Sequence, residues 1–329
     1  MHRLLTVLRR LLDAVLAPFG LLTYRLTGRT PTATYRAMRR VHTVAPGFGD
    51  PRRRSDPTIA PVADAALGPL DARDLAELRL RLDRDGYAVL DQRLDAETVA
   101  ELTRLASEAR CRVVGRRGGA SREMARFDPE RPLATRYELP EETILADPTA
   151  QALAVDEGFR RIAATYLRAE PVNDMVSMWW TAPDDDIDLS VAAQMFHADR
   201  DRLSFVKFFV YLTDVGPGDG PHVYVRGSHH DRPARLRADR RFTDEEVLAH
   251  YDEEDLVSVE GPAGTVFVAD TLGLHKGTPP MDGIRLVFQV EYATSLLGAP
   301  YERIPSDLLT ESTRATVEAN PHSFQRLGR

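Results

Sequence analysis

The stretch from Phe196 to Leu212, FHADRDRLSFVKFFVYL, sets a histidine and an aspartate two residues apart at the mouth of a hydrophobic run. On an extended backbone, residues two apart point to the same side, so His197 and Asp199 can hold something between them. Two imidazoles and one carboxylate on one face of a metal leave adjacent coordination positions open, which suits non-haem Fe(II) oxygen chemistry. The third ligand must then come from a distant strand folded back beside the first. His275, in GLHKGTPP after the strand-like GTVFVAD, fits that role. Enzymes of this kind borrow a bidentate co-substrate with a carboxylate tail, and the tail needs a fixed cation. Arg285 lies ten residues beyond His275, across the turn Thr278–Gly283. The planar fork of arginine matches a carboxylate through two parallel hydrogen bonds, which lysine cannot reproduce. A lone His-x-Asp is a weak signal. The ordered set His197, Asp199, His275 and Arg285 is a much stronger one.

Other ionisable groups compete with this set. His229, His230 and Asp231 follow Gly227-Ser228 and form a second His-x-Asp. Lys207 shares an alternating face with Phe205, Phe209 and Tyr211. An ammonium there must meet an anion, either a protein carboxylate or an acid of co-substrate or substrate, unless the strand is a solvated edge. Trp179 and Trp180 are adjacent on a strand, so one ring faces the pocket and the other packs beneath a helix. Asp184, Asp185, Asp186 and Asp188 lack the glycine and terminal glutamate of a calcium loop and read as a solvated mouth loop.

The elements that must position these residues follow from periodicity. DARDLAELRLRLDRDG is helical, YAVLD is a short strand, and LDAETVAELTRLASEA is a second helix with Asp95 as N-cap. DPTAQALAVDEGFRRIAATYLR reads as one further helix. Beyond Pro171 the character turns to β: VSMWWTA, LSFVKFFVYL with His197 and Asp199 at its opening, HVYVRG, LVSVE, GTVFVAD and RLVFQVEYA. FTDEEVLAHY interrupts them as a helix, with Thr243 and Glu246 in capping-box spacing. Helices first and many short strands afterwards predict an α+β domain with a closed β-sandwich core over residues 70–329.

Residues 1–69 read as a separate arm. The first segment, MHRLLTVLRRLLDAVLAPFGLL, puts Leu4, Leu5, Leu8, Leu11, Leu12, Val15 and Leu16 on an apolar helical face, ended by Pro18 and Gly20. Arg9, Arg10 and Asp13 interrupt it, against a membrane span and against a signal peptide. The face either lies in a membrane interface or packs on the body. Residues 42–69, including APGFGDPRRRSDP, read as a linker or extended wrap. Residues 1–54 hold eleven arginines against Asp13 and Asp50, whereas the whole chain is net −7. The acidic body argues against nucleic-acid binding. Cys111 is the single cysteine, so no intrachain disulfide forms and a cytoplasmic location is expected, peripheral to a membrane if residues 1–40 bind one.

From Leu75 to Tyr292 the chain resembles the phytanoyl-CoA dioxygenase family of Fe(II)/2-oxoglutarate oxygenases. RDGYAVLDQRLDAETVAELTRL resembles the family's opening strand and helix, and FHAD its first metal motif. GDGPHVYVRGSHH resembles its Gly-Ser-His segment, and LHKGTPPMDGIR the stretch from second histidine to arginine. The resemblance implies a double-stranded β-helix, a jelly-roll flanked by N-terminal helices. It also implies iron on His197, Asp199 and His275, and 2-oxoglutarate anchored by Arg285. His229 then becomes a turn residue that hydrogen-bonds backbone. Three positions depart from the family: Arg226 replaces a proline, Ala198 a frequent glutamine, and Gly277 a frequent serine, which leaves Thr278 as a partner for the co-substrate carboxylate. The expected activity is O2-dependent hydroxylation of a small or lipid-like organic substrate. Asp199 argues against a halogenase. Desaturation, cyclisation and a membrane-associated binding or scaffold protein with an idle metal site remain open alternatives.

Overall fold

The computed structural model describes residues 2–44, 62, 65–114, 123–183 and 194–328; for residues 2–11 and 43–44 it describes the backbone. The four aspartates from Asp184 to Asp188 and the APGFGDPRRRSDP segment lie outside the described residues. The described residues form eleven strands: β1 (Tyr87–Arg93), β2 (Cys111–Val114), β3 (Met124–Ala125), β4 (Arg136–Glu138), β5 (Val172–Thr181), β6 (Phe205–Tyr211), β7 (His222–Val225), β8 (Leu256–Val259), β9 (Thr265–Ala269), β10 (His275–Gly277) and β11 (Arg285–Ala293). They form an eight-stranded sheet, β1-β9-β6-β11-β5-β4-β2-β3, and a three-stranded sheet, β10-β7-β8, with antiparallel pairing throughout. Two antiparallel sheets packed face to face are the jelly-roll expected from the sequence.

Alternation along the large sheet separates two interiors. Val206, Phe208 and Val210 of β6, with Leu286, Phe288 and Val290 of β11, join a core shared with the helices. Their neighbours Phe209, Tyr211 and Val287 turn the other way, to a smaller core with Tyr224, Val259 and Phe267 between the sheets. Trp180 lies on the helix side, where its Nε1 donates to the Ala106 carbonyl at 3.2 Å. Trp179 faces between the sheets. The opposed orientation expected of the pair is what the strand delivers.

The helices behind the large sheet include α3 (Ala72–Asp85), opened by an Asp71–Asp74 capping box, and α4 (Ala96–Glu108), capped by Asp95 as expected. Asp244–Leu248 carries the Thr243–Glu246 capping box. The single helix expected over residues 147–168 is instead two, Pro148–Ala154 and Glu157–Leu167. Asp156 breaks it, because its carboxylate caps the second helix by accepting from Phe159 N at 2.9 Å, and it also accepts from Ala66 N at 2.7 Å.

Residues 2–44 form two helices packed against each other, α1 (His2–Thr27) and α2 (Thr32–Val44). Contrary to expectation, α1 does not stop at Pro18 and Gly20. It runs through Pro18, and Gly20 marks a close approach to α2, where a Cβ would lie 2.6 Å from that of Thr34. Ala17, Tyr35, Ala37 and Met38 bury against Leu203 and Leu297 of the body. Among the described residues no helix is long and apolar enough to cross a membrane.

Candidate metal centre and co-substrate pocket

His197 and Asp199 do not open β6, as the sequence suggested; β6 begins at Phe205. They lie on a preceding segment that pairs with the small sheet. His197 N donates to His275 O and His275 N to His197 O, both at 2.9 Å. The two histidines are thus directly opposed in an antiparallel bridge, with ring centroids 4.3 Å apart. Asp199 N donates to Thr271 O at 2.8 Å, which fixes the carboxylate's base.

The three side chains converge. Asp199 Oδ1 lies 3.5 Å from His197 Nε2, and its Oδ2 lies 3.4 Å from His275 Nε2. One donor atom from each residue falls within 4.8 Å of the others, the one such grouping among the described residues. Each imidazole is oriented from behind: His197 Nδ1 meets Met195 O at 2.9 Å and His275 Nδ1 meets Gly273 O at 3.0 Å. A carbonyl accepts only, so Nδ1 carries the proton and Nε2 presents its lone pair inward. Burial, reinforced by His275, lowers the His197 pKa to about 3 and keeps that lone pair free. Burial opposes the charge on Asp199, but Lys207 and the histidines more than offset it and hold the carboxyl well below its usual range. Two imidazoles and a carboxylate converging on one point fit a divalent iron.

Lys207 answers the question its strand posed. Its Nζ donates to Asp199 Oδ2 at 2.8 Å and to Asp201 Oδ2 at 3.0 Å, and lies 3.3 Å from Glu291 Oε2. The anion it meets is protein. Burial works against the ammonium, yet these carboxylates raise its pKa well above normal.

A cavity of about 410 Å³ opens on the triad, and Arg285, Trp179, Phe209 and Phe267 are among the residues lining it. Arg285 is buried and has no acid beside it among the described residues; its Nε finds no hydrogen-bond partner. Burial pushes its pKa down to about 10, opposed by Tyr211 and aided by Arg136. A buried, unpaired guanidinium is what a carboxylate-bearing ligand needs. Gly277 makes its room, since a Cβ there would sit 2.9 Å from Arg285 Nη2. Thr278 is not brought into this cavity: its hydroxyl is buried without a partner.

His229 is also not in the site. Its ring lies 3.9 Å from that of His230, tilted by 37°, and faces the backbone of Leu82 and Asp83. Ser228 also ties the turn: its Oγ donates to Val225 O at 2.6 Å and accepts from Leu274 N at 2.7 Å. Sequence reasoning missed His222, Arg136, Glu138 and Arg241, which line the cavity. The alternation of HVYV could have flagged His222; the others lie on elements with no periodic signal.

The fold and site together define a jelly-roll with a two-histidine, one-carboxylate centre. The family model for phytanoyl-CoA dioxygenase (PhyH) matches residues 82–281. The chain belongs to that family and is a non-haem Fe(II)- and 2-oxoglutarate-dependent oxygenase acting with O2 on a small-molecule substrate. No curated protein matches it. Among solved structures, it is similar to AviO1 from Streptomyces viridochromogenes Tue57, with 22% identity, a TM-score of 0.47, and coverage of 69% of this chain and 98% of that one. The α-ketoglutarate-dependent epimerase SnoN from nogalamycin biosynthesis is 21% identical, with a TM-score of 0.49 and coverage of 68% and 84%. EctD from S. alaskensis with bound Fe is 19% identical, with a TM-score of 0.43 and coverage of 76% and 82%.

Proposed function

We propose that His197, Asp199 and His275 hold Fe(II), that Arg285 anchors the distal carboxylate of 2-oxoglutarate, and that the enzyme hydroxylates a small or lipid-like organic molecule. The observation that carries this reading is the pairing, in one cavity, of three convergent donors with a buried arginine lacking a protein counter-ion. With O2 and 2-oxoglutarate, bound iron supplies the oxidising chemistry, and succinate and CO2 leave as by-products. The chain supplies placement and water exclusion. Carbonyls behind each imidazole fix the Nε2 lone pairs, and Lys207 takes one oxygen of Asp199 and so sets the carboxylate's rotation. Trp179, Phe209 and Phe267 provide apolar wall against water.

Anaerobic addition of Fe(II) and 2-oxoglutarate should give a weak visible charge-transfer band, and O2 should then release succinate. Alanine at His197, Asp199 or His275 should abolish both, whereas His229→Ala should leave both intact. Wild-type turnover without metal would sink the mechanism, and a missing band would favour a scaffold protein with an idle site. A substrate-stimulated product gaining one oxygen separates hydroxylation from desaturation or cyclisation. The same reading divides the chain into an arm, residues 1–69, and an oxygenase domain, residues 70–329. It places α1 on the cytoplasmic surface of a membrane. In support of that placement, Leu12, Val15, Phe19, Leu22 and Leu26 form an exposed apolar stripe at helical spacing.

A further inference from the structure

His222 opens β7 inside the cavity and has no place in the iron centre. It is 7% exposed, and its Nε2 has no hydrogen-bond partner among the described residues. Its backbone N donates to Tyr211 Oη at 3.0 Å, and that hydroxyl donates to Val259 O at 2.8 Å, so the start of the strand is fixed. The ring is fixed as well. It stacks on His275 with centroids 5.3 Å apart at 15°, and packs against Phe209 at 5.0 Å and Phe267 at 5.2 Å. Across the β7–β10 pair His222 stands opposite Gly277, the residue against which the Arg285 guanidinium lies. A rigid imidazole and a buried guanidinium therefore flank one point of the cavity wall, and among the described residues His222 Nε2 and Arg285 Nε have no hydrogen-bond partner.

Buried donors left without acceptors are costly, and native interiors rarely keep them unless a ligand completes the pairing. Arginine can donate two bonds to a carboxylate, which has about four acceptor sites, so one carboxylate accommodates both residues. From this juxtaposition we infer that His222 is a co-substrate-binding residue, donating an imidazole N–H to the same distal carboxylate of 2-oxoglutarate that Arg285 holds. The inference rests on the proposed role of Arg285.

The test uses the full chain with Fe(II) under anaerobic conditions, and reads the charge-transfer band. Two keto acids are titrated: 2-oxoglutarate, and 2-oxobutyrate, which chelates through the same keto-acid end and lacks the distal carboxylate. His222→Leu should weaken 2-oxoglutarate roughly tenfold to a hundredfold, the cost of a hydrogen bond to a charged group. It should leave 2-oxobutyrate and the Fe(II) affinity unchanged. His222→Gln, which restores an N–H donor, should recover part of the loss. An unchanged 2-oxoglutarate affinity in His222→Leu overturns the inference, and so does an equal loss for both keto acids, which reports a deformed pocket. If the wild-type protein forms no band with 2-oxoglutarate, the proposed site itself fails and this inference with it. If the wild type binds and Arg285→Lys weakens it while His222→Leu does not, the site stands and only His222 is wrong.

Discussion

At the scale of single residues, one ammonium holds the back of the site together. Lys207 faces Asp199, Asp201 and the fully buried Glu291, whose pKa burial raises well above the usual carboxylate range. Removing one partner of a buried ionic cluster typically costs about 3–5 kcal/mol, because the remaining charges stay buried. Lys207→Met should lower unfolding free energy in denaturant by roughly that amount, and should weaken Fe(II) binding measured by calorimetry, since Asp199 loses the contact that sets its rotation. Unchanged stability would mean the carboxylates take up protons at no cost. Arg285→Lys keeps the charge and loses the fork, so the Michaelis constant for 2-oxoglutarate should rise about tenfold to a hundredfold. Fe(II) affinity without co-substrate should hold. That His197, Asp199, His275, Arg285 and Lys207 would gather around one cavity was legible from residue type and from their order along the chain. His222, Arg136 and Arg241 were not. Alternation in HVYV pointed to the face of His222 alone; whether Arg136 and Arg241 line the cavity depends on how the elements lie over one another, and no local spacing encodes that.

At the scale of elements, the long strands and capped helices were legible because their periods are sustained over many residues. β2, β3, β4 and β10 were not, being only two to four residues long and specified by their neighbours. The helix break at Asp156 was hidden because helical periodicity continues across it. Asp156→Ala removes the cap on Glu157–Leu167 together with the bond from Ala66, and should cost about 1–2 kcal/mol by denaturant titration. The turn after β7 adds a dependence on pH. Burial, assisted by His230, lowers the His229 pKa to about 4 in the folded protein, against about 6.5 when unfolded. The unfolded chain therefore takes the proton first. The stability contribution of neutral His229 is fully present above pH ~6.5 and is lost as the pH falls toward 4. His229→Gln should flatten that part of the stability–pH curve and leave the region above pH 7 unsloped by this group. A curve of unchanged shape would assign the acid loss elsewhere.

At the scale of the whole molecule, the open question of the arm was whether its apolar face meets membrane or body, and α1 has one apolar face packed on the body and another left exposed. Leu16, Ala17, Leu21 and Tyr24 turn toward α2 and the body. Leu12, Val15, Phe19, Leu22 and Leu26 are 54–76% exposed on the other side. A sequence rich in leucine all round cannot reveal that division, which is set by where α2 docks. The basic residues divide too. Arg40 pairs with Asp13 at 2.6 Å and Arg39 lies 3.8 Å from Asp239, while Arg25, Arg29 and Arg36 are exposed. Each basic residue near an anionic surface contributes about 1 kcal/mol, screened over a Debye length, and the inserted stripe adds to it. Full-length protein should therefore co-sediment with vesicles containing anionic phospholipid, more weakly with neutral ones and more weakly in high salt. Gln at Leu12, Phe19 and Leu22 together should release it. Because these side chains are exposed, the variant should keep its melting temperature and its uncoupled 2-oxoglutarate turnover. Gln at Arg25, Arg29 and Arg36 should remove the salt-sensitive part alone. Deletion of the arm is the poorer test, since Tyr35 and Met38 are buried against Leu203 and Leu297. If the stripe substitutions leave vesicle binding intact, or if they convert a dimer in light scattering to a monomer, the stripe serves something other than a membrane, and a second copy of the chain is then its occupant in the dimer case.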